Sequence, residues 1–493
     1  MTRGFDNQKY IETQSQHIKD RIAQFGGKLY LEFGGKLFDD FHASRVLPGF
    51  QPDSKIRMLA QMKDQAEIVV VINAEDIEKN KLRGDLGITY DVDVLRLIDS
   101  FRSMELFVGS VVVTRYANQP SAEAFLGRLE HLGIKTYKHY TIEGYPHNIA
   151  HIVSPEGYGK NEYIETSRPL VVVTAPGPGS GKFSTCLSQL YHDFSRGITS
   201  GYAKFETFPI WNLDLKHPVN IAYEAATTDL DDKNMIDPFH LEAYNQTTVN
   251  YNRDIEIFPV LQAIFEKILG KCPYQSPTDM GVNMAGNCII DDAVVRKAAC
   301  DEIVYRYYDT LCKQRQQGEC EKEVFTQELL MQQANISEAD RACVAAALDK
   351  ESSTGEPAMA ITLGNGSCIR GKTSDLMGCS ASALLNALKV TANITKETQL
   401  ILQSAISPIQ EIKTKYLGAG NPRLHSDEIL IALASSASAD PIAKQALEAL
   451  AMLKGCDAHC SVMVSSQDAD TYKRLGLRLT CEPKYQTNNL YHK

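Results

Sequence analysis

The sequence predicts an α/β protein of several domains, and three observations carry that expectation. The first half alternates short, continuous apolar runs, "AEIVVVIN", "GSVVVTRY" and "RPLVVVTA", with helical patterns; such runs mark parallel strands buried on both faces by helices. From about Asp237 the strand formers thin out, and "EIFPVLQAIFEKILG", "DDAVVRKAACDEIVYRYYDTLCKQRQQG" and "SEADRACVAAALDK" carry helical spacing. At "AMAITLG" the alternation resumes. The expected layout is a layered N-terminal α/β domain over 1–236 with a phosphate-loop-like strand, loop and helix, a mainly helical domain over 237–350, and a C-terminal α/β domain over 351–493. A chain of 493 residues is too long for one ordinary core.

Each element follows from its local pattern. "KLYLEFGGKLF" reads as a hairpin-like pair of strands, with "FGGKL" repeated from Phe25 and from Phe33. "SAEAFLGRLEHLG" is a helix capped by Ser121 and stopped by Gly133. "ESSTGEPAMA" has the composition of a linker or turn. Beyond it, "SASALLNALKV", "DEILIALASSA" and "DPIAKQALEALAMLKG" are helices, and "AHCSVMVS" and "LRLTCEP" are strands.

Composition narrows the function classes. With 43% hydrophobic and 23% charged residues the chain is globular. A net charge of −10 and a pI near 5.7 repel phosphate backbones and anionic membranes, which argues against nucleic acid and membrane partners. The opening "MTRGFDNQKYIETQSQHIKD" is polar, unlike a secretory leader, and runs such as "IVVVI" fall far short of the roughly 20 residues of a membrane span. A cytoplasmic protein is expected. Its twelve cysteines read as free thiols. "GCDAHC" gathers Cys456, His459 and Cys460, but a zinc site pairs two such clusters and no second one stands out, so no metal is assigned.

The stretch "VVVTAPGPGSGKFSTC" is the main chemical signal. The phosphate-loop pattern is Gly, four residues, Gly, Lys, then Ser or Thr. Gly181 and Lys182 match its core, while Pro176 stands where glycine is required and Phe183 where the hydroxyl is required. The amides of Gly179, Ser180, Gly181 and Lys182 still form a nest at a helix N-terminus, where backbone donors favour an anion. The magnesium hydroxyl does not survive: Phe183, Leu187, Leu190 and Phe194 share an apolar stripe, with Ser184 and Thr185 turned about 100° and 200° from position 183. The binding set is therefore Gly177, Gly179, Ser180, Gly181, Lys182, Ser184 and Thr185, with a plain strand-to-helix turn as the bland alternative.

Secondary candidates surround it. "FDDFHASRVLPGF" offers Asp39, Asp40, His42 and Arg45 at a strand end, with His42 as general acid or base. "SPTDMGVNMAGN" spaces Asp279, Asn283 and Asn287 by four, one face of a helix if Gly281 and Gly286 permit it, capping or turn roles if not. Lys81, Arg83, Asp85, Lys160 and Asn161 are weaker candidates. A second loop, "TLGNGSCIRGKTSDLMG", sets Arg370, Lys372, Thr373 and Ser374 beside Gly364, Gly366 and Gly371. "HNIAH" reads as a strand, in which His147 and His151 lie about 13 Å apart and cannot chelate one metal.

"LYLEFGGKLFDDFHASRVLPGF", "KLRGDLGITYD", "TAPGPGSGK", "SPTDMGVNMAGN" and "NPRLHSDEILIAL" together resemble the bacterial family named domain of unknown function 1846, over nearly the whole chain. The resemblance implies a multidomain α/β architecture with a helical insertion and a cytoplasmic bacterial setting. It brings no assigned catalytic residues. The label ATP-dependent peptidase, carried by some members, gains little here from a broken phosphate loop and no protease constellation.

The function expected from the residues is an enzyme that binds a nucleotide or phosphorylated metabolite at 177–185, with His42, Asp279 and Asn283 as catalytic candidates. The alternative is a non-catalytic ligand-binding or scaffold protein that forms a homo-oligomer through its helical domain.

Overall fold

In the computed structural model, which describes residues 3–83 and 86–486, six strands form one parallel sheet. They are β1 (Leu29–Phe33), β2 (Ala66–Asn73), β3 (Phe107–Tyr116), β4 (Lys135–Tyr140), β5 (Leu170–Thr174) and β6 (Gly201–Phe205), in the order β4-β3-β2-β5-β1-β6. Leu29 pairs with Leu170 on one side and Gly201 on the other, which fixes the register of the three strands that matter below. All eight residues of β2 are buried, because helices cover both faces. Val69, Val71, Val171 and Val173 meet Leu187 and Leu190 of one helix and Phe258, Leu261 and Phe265 of another.

The helices used here are α1 (Asn7–Gln24), α2 (Tyr90–Ser103), α3 (Pro120–His131), α4 (Lys182–Ser195) and α5 (Asn252–Leu269). α4 and α5 pack on the valine face, and α2 packs against β2 and β3. All of this belongs to one compact unit, which runs to Glu224 and takes in Leu230–Ala298. The other unit holds Ala225–Asp229 and the chain from Ala299. The division falls inside the helix Asp292–Gln317, so residues 237–350 are shared between the units.

The second unit is built on four strands, β7 (Ala358–Thr362), β8 (Cys368–Lys372), β9 (Asp457–Cys460) and β10 (Arg478–Cys481), in the order β8-β7-β9-β10. Only β9 and β10 run parallel. Met359 and Ile361 pack with Leu384 and Leu388 of α6 (Cys379–Thr391) and with Ile429 and Leu433 of α7 (Ser426–Ala437). The molecule is thus mixed α/β, with a parallel six-stranded sheet and a separate C-terminal α/β region, as its sequence predicts. Among the described residues no helix is long and apolar enough to cross a membrane.

Four local expectations need correction. "KLYLEFGGKLF" gives one strand instead of two: β5 and β6 already flank β1 in parallel, leaving no edge for a returning partner, and the chain departs at Gly34, whose N–H donates to the Phe205 carbonyl. "HNIAH" is a helical turn, Ile149–Ile152, because the Asn148 side chain accepts from the His151 N–H as a cap. α3 starts at Pro120 with no side-chain cap, and the Ser121 N–H donates to Glu78 instead. On α4 the apolar stripe ends early, since Phe194 is 54% exposed while Thr185, Ser188 and Gln189 are buried. Asn161 and His139 meet those polar side chains, so α4 is enclosed on more than its apolar side.

Candidate functional site

The connection from β2 leads outward to β3, and that from β5 leads the other way, past β1 to β6. Where neighbouring parallel strands send their chains apart, their carboxyl ends leave a crevice, the usual ligand position in open α/β sheets. Here that switch point falls between β2 and β5, and the loop at its β5 side is 175–181.

That loop is held by its carbonyls. The Ser180 hydroxyl donates to the Gly177 carbonyl (2.8 Å), and the Thr114 hydroxyl, from β3, donates to the Ser180 carbonyl (2.6 Å). Gly181 sits at φ +90°, and a Cβ there would lie 3.1 Å from the Thr114 side chain. Glycine is therefore required by backbone and by space alike. α4 begins at Lys182, and its first turn closes with the Thr185 N–H on the Gly181 carbonyl (2.9 Å). Among the described residues, no protein acceptor takes the N–H groups of 179–184, and Lys182 makes no ion pair.

The remaining expected binders play other parts. Tyr90 fills the space a side chain at Gly177 would need, and Lys81 lies over the Tyr90 ring, its ammonium 3.3 Å from Asp76. Ser184 faces the hydroxyls of Tyr145 and Tyr158. Thr185 is wholly buried, its hydroxyl 3.5 Å from Nδ1 of His139. Burial pushes the His139 ring down to about 4, against the Glu162 carbonyl that accepts from its other nitrogen, so it stays neutral under the loop.

A second polar group occupies the same sheet edge at β1 and β6. Glu32 pairs with Lys204 in register, and Phe33 stacks on Phe205 with ring centres 4.2 Å apart. The Lys204 ammonium lies 2.7 and 2.6 Å from the two oxygens of Asp254 and 3.3 Å from Glu206. Burial opposes its charge, but Asp254, Glu206 and Glu32 outweigh burial and raise its pKa. Glu206 is pushed up to about 7, chiefly by burial and further by Asp254 and Glu32, with Lys204 opposing. Glu32 links this group to the loop: the Tyr202 hydroxyl donates to it (2.7 Å), and the buried Cys186 thiol on α4 is pushed up by burial and then by Glu32, while Lys182 lowers it.

Two hollows flank the segment 278–283. A cleft of about 450 Å³ is lined by Arg21, Trp211, Tyr244, His240, Asp279 and Asn283, among others, within the size range of small-molecule sites. A small cavity of about 40 Å³ shares Trp211, Thr278, Gly281 and Asn283 with it and is walled by Lys204, Glu206 and Asp254.

Two models of one family, described as domain of unknown function DUF1846, N-terminal and C-terminal, match residues 3–335 and 339–491. The chain belongs to the DUF1846 family. It is similar to the UPF0371 proteins of Streptococcus sanguinis (strain SK36), 56% identical over 490 residues, 99% of each chain; of Streptococcus uberis (strain ATCC BAA-854 / 0140J), 57% identical over 490 residues, 99% of each chain; and of Streptococcus pneumoniae (strain JJA), 56% identical over 491 residues, 100% of this chain and 99% of that one.

The three residues read from the sequence of this chain as catalytic candidates lie around the β6 end. His42 stands on a short helix, Phe41–Val46, capped by Asp40, with its ring against Phe208 (5.1 Å) and Tyr223 (6.0 Å). Asp40 pairs with Lys55 (2.7 Å). Asp279 and Asn283 share no helix: the turn Pro277–Met280 ends at an extended Gly281. The Asp279 carboxylate accepts from the Tyr244 hydroxyl (2.9 Å) and the Gln275 N–H (3.0 Å). The Asn283 amide donates to the Thr207 carbonyl (2.6 Å) and accepts from the Ala285 N–H (2.9 Å). These hydrogen bonds of Asp279 and Asn283 go to Tyr244, Gln275, Thr207 and Ala285, away from the 177–185 loop.

The weaker candidates disperse. Arg83 pairs with Asp93 (2.9 Å), Asn161 bonds the Tyr140 N–H and Ser188, and Lys160 lies over the Tyr140 ring; Asp85 lies outside the described residues. The second glycine loop is the β7–β8 turn of the other unit, where Arg370 pairs with Asp349 (2.9 Å). His459 also parts from Cys460, since neighbouring residues of β9 face opposite ways, and it bonds Thr480 and Glu482. Sequence reasoning missed Glu32, Lys204, Glu206 and Asp254. The available signal was "YAKFE", two charges alternating with aromatics at the end of a buried strand.

Proposed function

We propose that this protein is an enzyme of the bacterial cytoplasm that binds a nucleotide or phosphorylated metabolite along the carboxyl edge of its six-stranded sheet. The observation that carries the reading is a loop at the switch point between β2 and β5 in which, among the described residues, no acceptor takes the amides of 179–184 and no ion pair involves the partly buried Lys182 beside them. The phosphate sits on the amides of 179–182 and pairs with Lys182, a helix N-terminus favouring its charge. Gly177, Gly179, Gly181 and Ser180 shape the cradle, Ser184 borders it and Thr185 anchors the helix beneath.

The rest of the ligand extends toward Glu32, Lys204 and Glu206, with His42, Asp279 and Asn283 positioning the walls at the β6 end. Phe183 occupies the place of a magnesium-binding hydroxyl, and its ring packs on Tyr202 (5.5 Å), which favours binding over nucleotide hydrolysis. Twelve unpaired cysteines suit a reducing compartment. The test is a thermal-shift screen of phosphorylated metabolites, since a ligand of the folded state raises its stability, followed by the same titration on Lys182→Ala. Binding weaker by roughly ten- to a hundredfold is expected.

A second reading, a self-associating scaffold, draws on one feature. Phe325 (61% exposed) and Leu329 (39%) lie four apart on the helix Glu321–Ala334, an apolar pair suited to a homo-oligomer contact. Light scattering of the parent and of Phe325→Glu tests it: a dimer reduced to a monomer is the supporting result.

A further inference from the structure

Two cysteine side chains in the second unit are arranged for chemistry that the sheet-edge site does not use. The Sγ atoms of Cys379 and Cys460 lie 3.5 Å apart, both thiols free and both residues buried. Cys379 is the first residue of α6, a helix of 13 residues, and Cys460 is the last residue of β9. A disulfide needs the sulfurs about 2.05 Å apart, so closure requires them to approach by roughly 1.5 Å.

The two thiols are not equivalent. The hydrogen bond between the two sulfurs, with one to Thr373, holds the Cys379 thiol below its ordinary value against burial. Cys460 is pushed up by the same hydrogen bond and by burial. A helix N-terminus adds to the stabilisation of a thiolate at Cys379. Cys379 keeps 6% of its surface exposed and Cys460 none, so a small oxidant meets Cys379 first.

We propose that Cys379 and Cys460 form a reversible disulfide, with Cys379 as the attacking thiol and Cys460 as the resolving one. With hydrogen peroxide as oxidant, the Cys379 thiolate attacks one oxygen, the O–O bond breaks, and Cys379 becomes a sulfenic acid while the departing hydroxide takes up the proton the thiol lost and leaves as water. The Cys460 sulfur then attacks the Cys379 sulfur, the S–O bond breaks, and a second water carries off the remaining proton. Two thiols lose two electrons in all, and the peroxide gains them. The bond ties the start of α6 to the end of β9 across 81 positions of sequence, a long loop of the kind whose closure restricts the unfolded chain most.

The experiment treats the native full-length protein with hydrogen peroxide, blocks remaining thiols after unfolding, and maps peptides without reduction. The expected result is one linked pair, the Cys379 peptide with the Cys460 peptide, a mass lower by two hydrogens, full reversal by dithiothreitol, and a melting temperature raised while the bond is present. In Cys460→Ala the link is absent and Cys379 gains oxygen instead. A link from Cys460 to its strand neighbour Cys481, oxygen gained at other cysteines with Cys379 untouched, or twelve unmodified thiols after treatment overturns the proposal. Peptide mapping of the parent alone decides the matter if the variant does not fold.

Discussion

At the β5 end of the sheet edge the groups offered to a ligand are backbone amides, whereas at the β6 end they are charged side chains that hold one another. The loop 175–181 spends its carbonyls on Ser180 and Thr114 and keeps its donors. Lys204, Asp254, Glu206 and Glu32 spend most of their charge internally. The fold of a backbone cradle is therefore insensitive to side-chain loss but intolerant of a changed φ. A charge cluster is the reverse.

The difference is sharpest in stability. Lys204→Ala removes the cation that sits beside three carboxylates, and loss of one partner from a largely buried ion pair costs about 4 kcal/mol; urea unfolding of the variant reads it, and a change below about 1 kcal/mol breaks the comparison. Next comes pH at the loop end. His139 titrates near 4 folded and at 6.5 unfolded, so its contribution is complete above 6.5 and is lost as pH falls from 6.5 to 4, about 3 kcal/mol in all. The parent loses stability over that window more steeply than His139→Asn, which has no ring to protonate.

Smaller effects belong to the cradle. Gly181→Ala forces φ +90° on an L-residue against Thr114 and costs about 2 kcal/mol, measured by thermal unfolding. Lys182→Ala, at a half-exposed position, changes stability by no more than about 0.5 kcal/mol.

The sequence made the cradle legible and left the cluster hidden, for a physical reason. β2 and β5 announce themselves as unbroken apolar runs, and the glycines before Lys182 mark a tight loop wherever it occurs. Lys204 and Asp254 are 50 positions apart and Glu32 lies 170 from Tyr202, so only the strand order brings them together. At Asp279 and Asn283 the turn alternative holds over the helical one, because the extended Gly281 interrupts the phase that would have put them on one face. "FGGKL" misled as a hairpin because the second partner of β1 arrives from residues 201–205, far along the chain.

The central claim is that the amides of 179–182 and Lys182 hold a phosphate. Its most direct test is calorimetric titration of the parent and of Lys182→Ala with a phosphorylated metabolite that raises the parent's melting temperature. A charge-assisted contact of this kind predicts a ten- to hundredfold weaker affinity, about 1.4 to 2.7 kcal/mol, with the fold intact. Equal affinity of the two proteins for every such ligand would contradict it.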